Sequence, residues 1–244
     1  MKDWCLEVWG DYACFTRPEM KVERVSYEVM TPSAARAIFD AILWKPAIHW
    51  HITKIEVLQP IRWTSVRRNE VGKTVSTPTQ TQMEGKDGTP LGIFIEDHRQ
   101  QRAGLFLRDV RYRIHGWFEF IPVEKRRIHT WAGSAEHWAD DEEQAVYAPA
   151  DENEAKYAAM FERRVKKGQC FHRPYLGCRE FACDFRMVAD SPPQNQQINA
   201  DADLGWMLYD MNFADPSKPI PEFFKARLEN NTVNTDRRVV EVRS

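Results

Sequence analysis

The stretch that most constrains this chain is GLFLRDVRYRIHGWFEFIP, residues 104–122. Its side chains alternate. Val110, Tyr112, Ile114, Phe118 and Phe120 fall on one face, and Arg111, Arg113, His115, Trp117 and Glu119 on the other. A period of two is that of a β-strand, here with one face to bury and one polar face.

The neighbouring segments supply the rest of a fold. WCLEVW (4–9) reads as a short strand, and DYACFTRPEM after it as a loop punctuated by Pro18. Thr31-Pro32 is a helix start: Thr is an N-cap, and Pro suits the first helical position, where its missing N–H costs nothing. Ala35, Ile38, Phe39 and Ile42 then recur at helical spacing until Pro46. IHWHITKIEVL (48–58) is rich in β-formers and predicts a second strand. Residues 72–90 are rich in Gly, Thr, Gln and Pro and read as a flexible loop or the arm of a hairpin. In ENEAKYAAMFERRVKKGQCFHRPYLGCREF (152–181) a helix runs to about Lys167, Gly168 stops it, and a fourth strand is expected over 170–188. Residues 136–154 carry eight Asp or Glu and no Lys or Arg, which suits a solvated loop leading into a helix N-terminus.

Strand, helix, strand, strand, helix, strand is the α+β ferredoxin-like βαββαβ pattern. SPPQNQQ (191–197) reads as a boundary. The expected organisation is a ferredoxin-like domain over 1–190 and a small antiparallel β domain over 191–244, with strands from GWMLYDMNF, the 220s and RRVVEVR.

Composition narrows the function classes. A chain of 244 residues, 43% hydrophobic and 29% charged, suits one large domain or one domain with a small appendage. The net charge of −2 gives no bulk attraction for a polyanion, so any such contact must come from local patches. MKDWCLEVWGDYACF has no uninterrupted apolar region, and no segment approaches a membrane span. A cytoplasmic protein with no membrane contact is expected. The five Cys, at 5, 14, 170, 178 and 183, form no C-x-x-C pair and read as free, mostly buried thiols. Cys170, Cys178, Cys183 and His172 fit no common zinc spacing, and His49 with His51 lacks a third ligand, so no metal site is expected. No Walker loop, dinucleotide fingerprint or G-x-S-x-G is present.

Two constellations remain. Residues 99–127 hold eight Arg or Lys against three acids, and Arg111, Arg113 and His115 share a face with Trp117. Guanidinium groups beside an aromatic on an open sheet suit phosphate contact and base stacking. The same pattern also suits the solvated face of an antiparallel sheet. On the helix, Lys156, Met160, Arg163 and Lys167 line one face, while Ala158, Phe161 and Val165 line another expected to bury. Lys156 and Tyr157 open the helix, where backbone N–H groups favour a phosphate. The alternative is a solvated Lys156 with Tyr157 packed on Phe161.

Taken together, these segments resemble the type I-C form of the fifth family of CRISPR-associated (Cas) proteins, in the RAMP superfamily. The likeness is carried by VWGDYACFTRPEMKVERVSYEVMTPSAARAIFDAILWKPAIHW, PIRWTSVRRNEV, LRDVRYRIHGWFEF and, most strongly, RRVKKGQCFHRPYLGCREF, which cover most of residues 4–188. The resemblance implies an endoribonuclease that cuts the CRISPR repeat transcript without metal or other cofactor. It implies attack by a ribose 2′-hydroxyl on the adjacent phosphate, and continued binding to the 5′ handle of the crRNA. The implied partners are repeat RNA and crRNA, the other subunits of the type I-C interference complex and, through that complex, double-stranded DNA. The family's catalytic group is usually a Tyr just before W-K-P and a Lys-His pair opening the second helix. Here ILWKP places Leu43 at the first position, and the pair reads Lys156-Tyr157, so only the Lys is retained. Lys156 and Tyr157 are the implied catalytic residues, with Arg111, Arg113, His115, Arg163 and Lys167 as RNA contacts. The rival reading is a non-catalytic RNA-binding subunit that caps the guide.

Overall fold

The computed structural model describes residues 2–20, 22–86, 88, 92–123, 126, 151–188, 198–215 and 217–244. It is a mixed α/β structure with an antiparallel six-stranded sheet and a second, three-stranded sheet.

The large sheet is built around β4 (Arg99–Phe120), a 22-residue strand, about 70 Å of extended chain. No strand of that length is served by one partner. Its first half pairs with β3 (Trp63–Val71), Trp63 opposite Leu107 and Val71 opposite Arg99. Its second half runs between β1 (Trp4–Ala13) and β2 (Ile48–Val57). Asp109, at φ 53, lies where β4 passes from one set of partners to the next. β5 (Asp184–Val188) extends the sheet beyond β1, giving the order β5-β1-β4-β2.

Two helices cover one face. α1 (Pro32–Ile42) begins as its sequence dictates: Thr31 accepts from the Ala34 N–H and Pro32 occupies the first turn. A short α2 (Gln80–Met83) lies in the connection from β3 to β4. α3 (Glu154–Lys166) is capped by the Asn153 side chain, which accepts from the Lys156 N–H at 2.9 Å, and is followed by Gly168 at φ +62. Tyr157, Phe161 and Val165 are its buried stripe. Phe161 meets Trp50 (4.6 Å between ring centroids), Phe39 and Trp4 (5.6 Å each), so α3, α1, β1 and β2 share one aromatic core. The Trp50 indole N–H donates to the Leu43 carbonyl at 2.9 Å.

The small sheet consists of β6 (Ala202–Asn212), β7 (Ile220–Leu228) and β9 (Val242–Arg243). Between the last two, β8 (Thr232–Asn234) crosses back and pairs with β2 in the large sheet. Arg36 of α1 clamps the sheets together, donating from Nε and Nη2 to Asp210 of β6 at 2.9 Å each and from Nη1 to Asp40.

Three expectations change. β3 is an additional strand, unread in the sequence because WTSVRRNEV has no residue buried on either face. Only 184–188 of the expected fourth strand is extended. The segment before it is an irregular loop, pinned where Leu176 and Cys183 bury completely and where Phe171 N–H donates to the Ala41 carbonyl at 2.8 Å. Along α3 it is Tyr157, rather than Ala158, that joins Phe161 and Val165 inside. The acidic stretch up to residue 150 and the 191–197 boundary lie outside the described residues.

Candidate nucleic-acid interface and active site

Alternation along β4 puts Arg111, Arg113 and His115 on the face away from the helices, as their spacing predicts. They do not stand there as free cations. Glu7, on the neighbouring β1, is almost wholly buried (3% exposed). Its carboxylate lies 2.9 Å from Arg111 Nε, 3.7 Å from Arg113 Nε and 2.9 Å from an Arg186 guanidinium nitrogen on β5. On the other side Glu56 of β2 lies 2.8 Å from His115 Nε2, 2.8 Å from Lys54 Nζ and 3.6 Å from Arg113 Nη1. Burial pushes the Glu56 carboxyl up, but hydrogen bonds from His115 and Lys54 outweigh it and hold it at about 2. Four permanent cations, Lys54, Arg111, Arg113 and Arg186, thus face two carboxylates, and the surface keeps an excess of positive charge. Arg111 and Arg186 also lie over the Trp9 ring, 5.4 and 5.9 Å from its centroid. Of the two β4 arginines Arg111 is the more accessible, its side chain 39% exposed against 14% for Arg113.

Next along this face, His51 stacks on Trp117 at 4.4 Å and meets the His49 ring at 4.8 Å. Among the described residues no group of three or more His, Cys, Asp or Glu side chains is placed to hold a metal ion.

Lys156 and Tyr157 lie on the opposite side of the sheet. Lys156 Nζ lies 2.6 Å from the exposed Asp151 carboxylate. Both side chains reach solvent, which screens the pair, so a phosphate can displace it. Tyr157 points inward near Phe120, and its hydroxyl donates to Glu152. Glu152 is held in turn by Arg126 at 2.5 Å. Burial, then the hydrogen bond to Glu152, push the Tyr157 hydroxyl up to about 12. A phenol so placed keeps its proton at neutral pH; it can donate or relay but does not act as the base. The Leu43 side chain is fully buried and offers no group that could take part in catalysis.

Arg163 and Lys167 lie exposed towards the C-terminal end of α3, with no ion pair to another described residue. The helix dipole favours cations there without any ligand. The sequence-derived residues therefore form two groups on opposite faces: Arg111, Arg113 and His115 on one, and Lys156, Tyr157, Arg163 and Lys167 on the other. Glu7, Glu56, Asp151, Glu152 and Arg126 are the residues that sequence reasoning missed. Only the polar position of Glu7 in WCLEVW and of Glu56 in ITKIEV hinted at the first two.

Comparison with known proteins places this architecture. The fold is similar to that in a crystal structure described as a CRISPR-associated protein, which matches all of this chain and 97% of its own, with a TM-score of 0.61 at 20% identity. The chain belongs to the Cas5d family, whose model, CRISPR-associated protein (Cas_Cas5), matches residues 4–236. It is 46% identical over 234 residues to the CRISPR pre-crRNA endoribonuclease Cas5d of Mannheimia succiniciproducens, covering 94% of this chain and 92% of that one. It is 37% identical over 242 residues to the protein of the same name from Thermus thermophilus, covering 91% and 86%. No helix among the described residues is long and apolar enough to cross a membrane.

Proposed function

We propose that this protein is a metal-independent endoribonuclease that cuts pre-crRNA within the repeat and stays on the 5′ handle as a subunit of the type I-C interference complex. The carrying observation is the identity of 46% and 37%, over nine-tenths of the chain, to two relatives named as pre-crRNA endoribonucleases.

The geometry supports a division of labour. Attack by a 2′-hydroxyl on the neighbouring phosphate builds charge on the phosphorane and needs a proton delivered to the leaving 5′ oxygen. Lys156, loosely tied to Asp151, supplies the positive charge. Tyr157, protonated and with its hydroxyl proton on Glu152, serves as proton donor or relay to the leaving oxygen once it turns from that carboxylate, rather than as the base. Arg163 and Lys167 continue the same surface. Arg111, with Arg113 and His115 behind it, holds RNA phosphates on the far face. An RNA touching both groups must wrap an edge of the sheet.

The strand order β5-β1-β4-β2, antiparallel throughout, with α1 and α3 on one face, supports a ferredoxin-like core into which β3 is inserted. The separate sheet of β6, β7 and β9 supports a small β domain after residue 190.

The test is purified protein with labelled repeat RNA. Cutting at one position, leaving the 3′-phosphate or cyclic phosphate that 2′-hydroxyl attack demands, is expected. Tight binding with intact RNA would instead identify the guide-capping subunit.

A further inference from the structure

Two of the free cysteines meet far from both groups of residues above. Cys14, just after β1, is fully buried; Cys178, in the loop before β5, is partly exposed. They are 164 residues apart in sequence, yet the Cys178 thiol, when protonated, donates to the Cys14 carbonyl oxygen at 3.6 Å. The backbones touch here: Cys14 N–H donates to the Leu176 carbonyl at 3.0 Å. Gly177 adopts φ +83, and a Cβ added to it would fall 2.1 Å from the Cys14 oxygen. Thr16 Oγ1 bridges the two sulfurs, 3.4 Å from Cys14 Sγ and 3.9 Å from Cys178 Sγ.

The pair is asymmetric. Arg24 donates from Nη1 to Cys178 Sγ at 3.5 Å. The same guanidinium is fixed by Glu180 at 3.2 Å and Glu70 at 3.9 Å, so it is presented to the sulfur rather than free to leave. Among the described residues, the charged groups around Cys178 are Arg24, with Glu180 and Glu70 behind it and Arg68 bound to both carboxylates, and the other hydrogen-bonding neighbours of its sulfur are Thr16 and Cys14. A hydrogen bond from the Cys14 thiol, then Thr16 and the charge of Arg24, bring the Cys178 thiol down to about 6 against the opposing effect of burial. Cys14 is pushed the other way by the same contact and by burial. A thiol beside a guanidinium, partly open to solvent, with a second thiol on the same Thr16 hydroxyl, is the arrangement of a redox-sensitive cysteine.

We propose that Cys178 and Cys14 form an oxidisable thiol pair, Cys178 the nucleophile and Cys14 the resolving thiol, which a peroxide closes to a disulfide joining β1 to the loop before β5. The Cys178 thiolate attacks one peroxide oxygen and the O–O bond breaks. The departing hydroxide takes a proton to become water, and Cys178 is left as a sulfenic acid. Cys14 sulfur then attacks the Cys178 sulfur. Its proton leaves with the sulfenic hydroxyl as a second water, and the S–S bond forms. Two thiols and one hydrogen peroxide give one disulfide and two waters. Gly177 lets the two backbones touch, and the contact sets both sulfurs against one threonine hydroxyl.

The experiment is alkylation of the full chain by iodoacetamide, followed by peptide mapping. Cys178 should be alkylated with a rate midpoint near the value of about 6 to which its surroundings bring it. At pH 6 its greater thiolate fraction, offset by its lower intrinsic nucleophilicity, gives a rate about tenfold that of the same residue in the urea-unfolded chain. Arg24→Ala should move the midpoint upward. After treatment with hydrogen peroxide, mapping should find a Cys14–Cys178 disulfide that dithiothreitol removes. Cys14→Ser should keep the fast alkylation and lose the disulfide, leaving a trapped Cys178 sulfenic acid that dimedone labels. Fastest alkylation at another cysteine, an unmoved midpoint in Arg24→Ala, or a peroxide-induced disulfide involving Cys170 or Cys183 would overturn the proposal.

Discussion

The two arginines at the middle of β4 should separate into a binding residue and a holding residue. Arg111 and Arg113 look equivalent in sequence. In the fold, Arg111 has 39% of its side chain exposed and shares Glu7 with Arg186, whereas Arg113 is 14% exposed and lies between Glu7 and Glu56. Each phosphate contact on single-stranded RNA contributes about 0.7 to the slope of log affinity against log salt. Arg111→Ala should therefore flatten that slope by about 0.7 and weaken binding about fourfold at 0.15 M salt. Arg113→Ala should scarcely change the slope. It removes a cation from between two buried carboxylates, at a cost of about 1–3 kcal/mol. At about 2–4 °C per kcal/mol for a chain of this size, the Tm should fall by several degrees. Filter binding of repeat RNA across a salt series, beside thermal unfolding of each variant, reads both quantities. A slope unchanged in Arg111→Ala would assign this face to solvent. An Arg113→Ala variant with a flatter slope and an intact Tm would show that Arg113 turns to RNA rather than to Glu7 and Glu56.

Lys156→Ala should lower the cleavage rate by on the order of 10² to 10³ with little change in affinity, because the added charge exists only on the phosphorane; single-turnover cutting beside equilibrium binding checks it. Tyr157→Phe removes only the hydroxyl held by Glu152 and should slow cutting at unchanged affinity, while Tyr157→His restores the usual family pair and should raise the rate again; normal cutting by Tyr157→Phe would make the residue structural. Glu56, held at about 2 against an ordinary value of 4.5, contributes stability that is present above pH 4.5 and is lost as pH falls towards 2. After screening by solvent, that contribution is about 1–3 kcal/mol. Urea unfolding of Glu56→Gln should show it less stable than wild type at pH 7, with the two curves converging below pH 4; a constant gap would refute the assignment.

Much of this fold is legible in one dimension wherever a buried stripe imposes a period. β4 shows itself through Val110, Tyr112, Ile114 and Phe118, and α1 through its Thr31 cap and the spacing of Ala35, Ile38, Phe39 and Ile42. Where neither face buries, as in β3, no period exists to be read. The loop before β5 misleads for the opposite reason: its apolar Leu176 and Cys183 are anchors of an irregular chain, not alternate residues of a strand. The residue types of the candidate site can be read from the sequence, but their pairing cannot. Nothing local couples Glu7 to Arg186, 179 residues away, or tells that Tyr157 turns inward to Glu152 while Lys156 beside it stays outside.

The central claim, metal-independent cutting by a ribose hydroxyl, meets its most direct test in a comparison of two RNAs in excess EDTA. One is the natural repeat; the other carries a single 2′-deoxy nucleotide immediately 5′ of the cleaved bond. The account predicts equal binding of both, cleavage of the first and none of the second. Cleavage of the deoxy-substituted repeat, or cleavage of the natural repeat only after magnesium or zinc is restored, would contradict it.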